Sequence, residues 1–346
     1  MIPDINKYSE FNFDHSLNTA KSNTLVSNSI AFSFREDNLV YSLHTNEFNF
    51  ELQNNRFDDN KENIIIVLSK DNGIILEYTI KKLCEFGIDK QYDILLVDDR
   101  SITSEIYDIS NRYNLSYLKI DNTHNVFNYS ILNNIASLFA IKFNKTRCIF
   151  YNNDLWPGEN TTLNNILSKH KTLSSGITGC RLVYPSEEEY NHLNKPQHIL
   201  SSKLKLAYNT IQHGGIYFYP HKNILYPYHL WRFYPANHAM ACQDTKCFAV
   251  TGALQIVDTE LFVSLGGFNP ILQTSFQDID LCLRLVSRNL GCITYLGSEH
   301  MVHAESLTHF KDGIHNTNQA LSDKICWNII WQRTIFNLIG YSYSSQ

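Results

Sequence analysis

From Asn63 onward the apolar residues fall into short unbroken runs separated by stretches of helical period. The runs at 64–68 (IIIVL), 92–97 (YDILLV) and 147–151 (RCIFY) read as strands buried on both faces, since a strand with one wet face would alternate. Between them, 74–86, a segment ending near Tyr113 and 133–143 place apolar side chains three and four residues apart, which predicts amphipathic helices. A shorter strand is expected at 115–120, a further helix at 160–169 and a strand near 177–182. Strands alternating with helices at this spacing predict an α/β fold with a mostly parallel, doubly wound sheet.

The flanks are different. Residues 1–60 are polar and Asn-rich, with two short alternating runs at 29–34 and 39–43, and are expected to form an N-terminal extension of short strands and irregular chain. Residues 61–310 then form the main domain, and 311–346 a helical tail. In the tail, Trp327, Ile330, Trp331, Ile335, Phe336 and Ile339 recur at helical spacing, which suits a helix docked on the domain. A polar insertion at 186–209 and an aromatic stretch at 219–234 interrupt the alternation. The aromatic stretch reads either as a packed loop or as a rim that stacks on sugars.

Chemistry enters at the strand ends. In a doubly wound sheet, ligands bind outside the carboxyl ends of the strands, and Ser69, Asp98, Asp99, Asn152 and Asp154 all stand there. Each alone could merely cap a helix or close a turn. Together, the oxygen-rich Asn152-Asn153-Asp154 suits a hard divalent cation whose remaining ligands come from phosphates. No GxGxxG or GxxxxGK[ST] loop follows the first strand, which disfavours dinucleotide and P-loop readings.

A second cluster lies in 251–309. Ser275 is placed to cap a helix with Asp278 three residues on, and Ile279, Cys282, Leu285 and Val286 follow at helical spacing until Gly291 supplies a stop. Asp278 reads either as a capping carboxylate or as a general base held at a helix start beside a cleft.

Composition narrows the partners. A net charge of −5 over 346 residues gives no reason to expect nucleic acid. The eight cysteines form no CxxC pair and read as reduced thiols, hence a reducing compartment. With no signal-like start and no long apolar run, a cytoplasmic location is expected, with attachment to the inner face of a membrane left open, as is the oligomeric state.

Taken in order, residues 66–71 (IVLSKD), 96–101 (LVDDRS), 125–134 (NVFNYSILNN), 152–154 (NND), 210–215 (TIQHGG), 250–253 (VTGA) and 276–284 (FQDIDLCLR) resemble the family-2 glycosyltransferases of the GT-A fold, in their rhamnosyltransferase-like, O-antigen type. Ile66-Val67-Leu68-Ser69-Lys70-Asp71 is similar to the opening strand and loop, and Leu96-Val97-Asp98-Asp99-Arg100-Ser101 to the VDDxS nucleotide loop. Residues 125–134 (NVFNYSILNN) resemble the NxxFxxxxN segment, and Asn152-Asn153-Asp154 the DxD or NND motif. Thr210-Ile211-Gln212-His213-Gly214-Gly215 is similar to TIQHAG, Val250-Thr251-Gly252-Ala253 to VTGA, and 276–284 (FQDIDLCLR) to FNDVDxCLR.

That resemblance implies a Rossmann-like sheet flanked by helices and a nucleotide-diphosphate sugar as donor. The acceptor is then a hydroxyl of a glycan, glycolipid or glycoprotein, and Mn²⁺ or Mg²⁺ assists. Ser69, Asp98, Asp99, Asn152, Asn153, Gly252 and Gln277 would bind the donor, and Asp154, Asn152 and His303 the metal. Asp278 would be the base of an inverting hexosyl or deoxyhexosyl transfer. The sequence departs from the family pattern in three places. Asn152 replaces the first DxD acid, the usual HHES reads His303-Ala304-Glu305-Ser306, and the 186–209 insertion replaces a short turn. Two alternatives accompany this reading: a catalytically impaired binding module of the same fold in a polysaccharide-assembly complex, and a nucleotidyltransferase, for which 68–73 is a poor phosphate loop.

Overall fold

The computed structural model describes residues 31–36, 39–44, 48–71, 73–122, 127–158, 163–193, 207–221, 224–305 and 318–338. They fall into two compact units, one within Ile5–Pro157 and Ile256–Pro270, the other within Gly158–Gln255 and Ile271–Gln346.

In the first unit β1 (Ala31–Glu36) and β2 (Leu39–His44) form an antiparallel hairpin, close to where the two alternating runs foretold strands. The next strand, β3 (Phe48–Asn54), was not foreseen as a separate element. It pairs antiparallel with β6 (Ser116–Asn122) and closes the sheet edge. β4 (Asn63–Ser69), β5 (Asp93–Asp99), β6 (Ser116–Asn122) and β7 (Arg147–Asn152) follow, in the spatial order β7-β4-β5-β6-β3, with the first three pairings parallel. Ile64, Ile65, Ile66 and Val67 are fully buried, as a continuous apolar run requires when both faces of the strand are covered.

The crossovers are α1 (Gly73–Glu85) with the short α2 (Ile88–Gln91), α3 (Glu105–Arg112) and α4 (Tyr129–Lys142). α4 begins four residues before the expected 133 because Asn128 caps it, its side chain accepting the Ile131 N–H at 3.0 Å. Further along α4, the Asn134 side chain clamps the GGF turn. It accepts the Phe268 N–H at 2.9 Å and donates to the Phe268 carbonyl at 2.8 Å. Gly267 of that turn has φ +69°, and a Cβ there would lie 2.5 Å from Asn134 Oδ1, so glycine is required. After the short β8 (Leu155–Pro157) the chain leaves this unit.

The second unit contains α5 (Leu163–Thr172), β9 (Ile177–Val183) and α6 (Glu187–His192). α6 opens the polar insertion with a complete capping box, Ser186 and Glu189 bonding each other's backbone N–H. Residues 194–206 of the insertion lie outside the described residues. β10 (Ile211–His213) pairs antiparallel with β9, and β11 (Ile216–His221) forms a hairpin with β12 (Ile224–His229). After β13 (Thr245–Cys247), the chain passes back to the first unit within β14 (Leu254–Asp258) and adds α7 (Thr259–Ser264) there. It returns to the second unit for α8 (Gln277–Ser287), β15 (Ile293–His303) and α9 (Asn318–Leu338). β15 runs parallel to β9 and antiparallel to β13. Among the described residues no helix is long and apolar enough to cross a membrane.

The Asn134 clamp generates a stability prediction. Asn134 is buried, so Asn134→Ala strands the Phe268 N–H and carbonyl without partners. The expected cost is about 2–6 kcal/mol, at roughly 1–3 kcal/mol for each unsatisfied buried group. Urea denaturation reads this directly, and an unchanged midpoint would refute the clamp.

Candidate functional site

The carboxyl ends of β4, β5 and β7 gather the first set of candidates within the first unit. Asn153 donates from Nδ2 to Ser69 Oγ at 3.0 Å, and its carbonyl accepts the Thr79 hydroxyl at 2.8 Å, so it ties two strand ends and a helix together. Asp98 is buried and accepts the Tyr117 hydroxyl at 2.6 Å and the Ser101 N–H at 2.9 Å, which closes the turn after β5. Asp99, also buried, is paired two-pronged with its neighbour. Arg100 Nε reaches Oδ1 at 2.6 Å and Nη2 reaches Oδ2 at 2.8 Å. Asp71 and Ser101 cross-link the loops after β4 and β5, with the Asp71 N–H on Ser101 Oγ at 3.0 Å and the Ile102 N–H on Asp71 Oδ1 at 2.6 Å. Asn152 is half-buried and Asp154 buried at the end of β7.

The second set lies in the second unit. Asp278 Oδ2 accepts the Gly252 N–H at 2.7 Å and Oδ1 accepts the Ile279 N–H at 2.8 Å. The structure therefore brings together the VTGA-like and FNDVD-like segments, two motifs 26 residues apart in the chain. Burial raises the Asp278 pKa above the ordinary aspartate range, although the backbone N–H groups pull it down. Asp280, two residues on, is committed elsewhere. Its Oδ2 takes the Arg284 Nε at 2.8 Å and its Oδ1 the Trp331 indole N–H at 2.8 Å. Gln277 is buried, and its Oε1 has no hydrogen-bond partner among the described residues.

Both expected ends of this helix are corrected. Ser275 does not cap it. The helix starts at Gln277, and the preceding Phe276 is left-handed at φ +68° with no side-chain cap, while the Ser275 N–H is held by Asp323 at 3.0 Å. Gly291 is not the stop either. Asn289 takes the left-handed position at φ +55°, with the Asn289 N–H on Val286 and the Leu290 N–H on Leu285, a full Schellman motif. Asparagine tolerates that conformation well enough to end the helix before the glycine is reached.

His303 is buried at the end of β15, its Nδ1 3.2 Å from Gln212 Oε1, so the TIQH-like and HAES segments also meet. Beyond it lies a network that sequence reasoning missed. Arg232 Nη2 donates to both oxygens of Glu305 at 2.8 and 2.7 Å and to the Tyr184 hydroxyl at 2.8 Å, and that hydroxyl itself donates to Glu305. Burial pushes the Glu305 carboxyl up, but Arg232 and the Tyr184 bond outweigh it and hold the group below its usual range. The prior signals were the glutamate of HAES and the aromatic stretch that contains Arg232, which was read for its rings and not for its arginine; Tyr184 sits in unremarkable sequence. The aromatic stretch is a hairpin followed by a tight turn. Tyr219, Phe233 and Tyr234 are exposed, and Trp231 and Phe233 are both left-handed, at φ +61° and +69°.

Asp154 and Asn152 offer the hard oxygen donors that suit Mg²⁺ or Mn²⁺. Among the described residues no group of three or more His, Cys, Asp or Glu side chains is placed to hold an ion. Asp154 and Asn152 by themselves thus make an incomplete donor set of the hard-oxygen kind.

The histidines beside His303 make stability depend on pH. His213 Nδ1 and His229 Nδ1 are 3.0 Å apart, so one ring must donate and the other accept. Burial first, and neighbouring cations second, depress both pKa values: His213 well below 6.5 and His229 to about 4. Below pH 6.5 the unfolded chain takes up protons that the folded one does not. Stability is therefore lost as pH falls from 6.5 towards the folded values, by up to about 1.4 kcal/mol per pH unit per histidine. Urea denaturation at about pH 7 and pH 5 should show this loss, and His229→Gln should shrink it; equal slopes for both proteins would contradict the assignment.

No established family profile matches the chain. The O-antigen biosynthesis protein RfbC of Myxococcus xanthus is similar, at 25% identity over 265 residues, covering 75% of this chain and 18% of that protein. The chain thus spans under a fifth of that relative's length. Among solved structures, GalNAc-T7 with UDP, GalNAc and Mn²⁺ matches with a TM-score of 0.50 and 14% identity, over 71% of this chain and 44% of that one. The chain therefore shares the GT-A fold, a mostly parallel sheet flanked by helices.

Proposed function

We propose that this protein is an inverting glycosyltransferase that moves a hexosyl or deoxyhexosyl group from a nucleotide-diphosphate sugar to a hydroxyl of a glycan, glycolipid or glycoprotein. The observation that carries the reading is Asp278, a half-buried carboxylate fixed on a helix start by the Gly252 and Ile279 N–H groups. Burial raises its proton affinity above that of a solvated aspartate, which makes it a better proton acceptor. The neighbouring Asp280 cannot serve, since Arg284 and Trp331 already hold its oxygens.

Donor-binding roles go to Ser69, Asp98, Asp99, Asn152, Asn153, Gly252 and Gln277. The unpartnered Gln277 oxygen is a ready acceptor for a sugar hydroxyl. Asp99 is already paired with Arg100, so a nucleobase bound there would exchange with or share that partner. A carboxylate has about four lone-pair sites, which leaves room for sharing. Asp154 and Asn152, with His303 as a further ligand, would hold a divalent cation through the diphosphate. When bound, such an ion neutralises charge that builds on the leaving group. The similar solved structure, which holds UDP and Mn²⁺, supports this reading.

In the transfer, the Asp278 carboxylate takes the proton of the acceptor hydroxyl as its oxygen bonds to the anomeric carbon. The bond to the diphosphate breaks on the opposite face, so configuration inverts, by the same geometric logic as inverting hydrolysis with a sugar hydroxyl in place of water. General-base assistance is worth roughly 10²–10⁴-fold. Asp278→Asn should therefore lose turnover by about that factor at unchanged donor affinity, and near wild-type turnover would remove Asp278 from the role.

Binding is tested separately by thermal shift with UDP, dTDP and GDP and their sugars, each with and without Mn²⁺. A ligand present at a hundredfold excess over Kd stabilises the folded state by about 2.7 kcal/mol. A Mn²⁺-dependent shift with one nucleotide, abolished by Asp154→Ala, is the expected result. No shift with any of them would turn the reading towards a non-catalytic binding module.

A further inference from the structure

The inward stripe of α9 consists of Asp323, Trp327, Trp331 and Ile335, four residues apart and all buried. Three of these are what an apolar stripe demands. The fourth is an aspartate with no exposure at all. A carboxylate in that position is costly unless its oxygens are bonded, so its partners show what it is there for.

Those partners are three consecutive main-chain N–H groups. Asp323 Oδ1 accepts from Gln273 at 3.1 Å, and Oδ2 accepts from Thr274 at 2.7 Å and Ser275 at 3.0 Å. The Thr274 hydroxyl at 2.8 Å and Gln319 Nε2 at 3.0 Å complete the shell. The next residue, Phe276, is left-handed, a conformation that persists in a non-glycine residue only where its surroundings over-determine it. Its ring stacks on Trp327 at 5.2 Å. On the other side of Asp278, the Trp331 indole donates to Asp280 at 2.8 Å. α9 therefore grips α8 immediately before and immediately after Asp278, while Asp278 itself bonds only towards Gly252 and Ile279 in the contacts described above. No side chain of the local sequence caps α8 at Phe276, so the carboxylate from α9 takes over the task of fixing the approach to the helix.

From this geometry we infer that Asp323, seconded by Trp331, is a positioning residue that holds the start of α8 so that the Asp278 carboxylate stays aimed by the Gly252 N–H. The inference rests on the reading of Asp278 as the base. Replacing one Asp323 oxygen by an amide NH2 leaves at least one of the three N–H groups facing a donor, which frees Phe276 to leave its left-handed conformation and lets the first turn of α8 rotate.

The test compares wild type, Asp323→Asn, Trp331→Phe and Asp278→Asn. One readout is amide hydrogen exchange at Gly252 and at 273–280. The other is nucleotide release from a panel of UDP-, dTDP- and GDP-sugars with Mn²⁺, followed against pH. In Asp323→Asn, exchange at Gly252 and Ile279 should speed up at least tenfold while Ile64–Val67 keep wild-type protection. Nucleotide release should fall at least tenfold at unchanged donor Kd, with the acidic limb of its pH profile displaced. Trp331→Phe, the milder change, should move both readouts in the same direction and serves if the aspartate variant does not fold.

Unchanged exchange at Gly252 and Ile279 would overturn the proposal. So would faster exchange with an unmoved pH limb and rate, which would make Asp323 a stabilising residue only. If Asp278→Asn releases nucleotide like wild type, the base assignment falls and the positioning role with it. Loss of release in Asp278→Asn beside normal release in Asp323→Asn would refute the positioning role alone.

Discussion

Taking a carboxylate out of water costs several kcal/mol unless its oxygens find donors, and this protein meets that requirement mainly with main-chain N–H groups. Asp93 takes the Asp58 N–H and the Lys145 ammonium, Asp98 the Ser101 N–H, Asp278 those of Gly252 and Ile279, and Asp323 those of Gln273, Thr274 and Ser275. Each such aspartate fixes a loop that no regular ladder could fix. Asp93 fixes the loop before β4, and the other three fix the loops that follow β5 and precede or face α8, where the candidate chemistry is concentrated.

The same device separates aspartates that look alike in the sequence. Asp278 and Asp280 share one helix and one motif, yet Asp280 is neutralised by Arg284 and pinned by Trp331, while Asp278 faces only N–H dipoles. Dipoles orient a carboxylate without giving it a cationic partner, so burial still raises its proton affinity. That difference in surroundings makes one a candidate base and the other a brace. Glu305 is the opposite case again: Arg232 and Tyr184 hold it ionised, and Gln212 lies between it and His303.

Strain is located in the same places. Asp71 and Arg100 in the strand-end loops, Phe276 before α8, and Trp231 and Phe233 after β12 all have positive φ without being glycine. Such residues persist only where neighbouring bonds over-determine them. Around Phe276 those bonds come from α9, a helix outside the alternating pattern of strands and crossovers.

Much was legible in the chain itself. Unbroken runs such as IIIVL report burial on both faces, and burial on both faces implies a parallel sheet, so the fold class and the strand-end location of Ser69, Asp98, Asp99 and Asn152 followed from local pattern alone. The order of short motifs carried the family resemblance for the same reason, since each is a contiguous string. Only the tertiary structure decided which strings touch: Gly252 with Asp278, Gln212 with His303, Arg232 with Glu305, and Asp323 with the loop before Phe276. Ser275 and Gly291 were misread as helix ends because capping rules weigh local neighbours, and here a carboxylate 48 residues away and an asparagine before the glycine acted first. Periodicity records which face of an element is apolar. It cannot record which polar group, distant in the chain, will supply the hydrogen bonds that a buried loop needs, because that partner is chosen by packing.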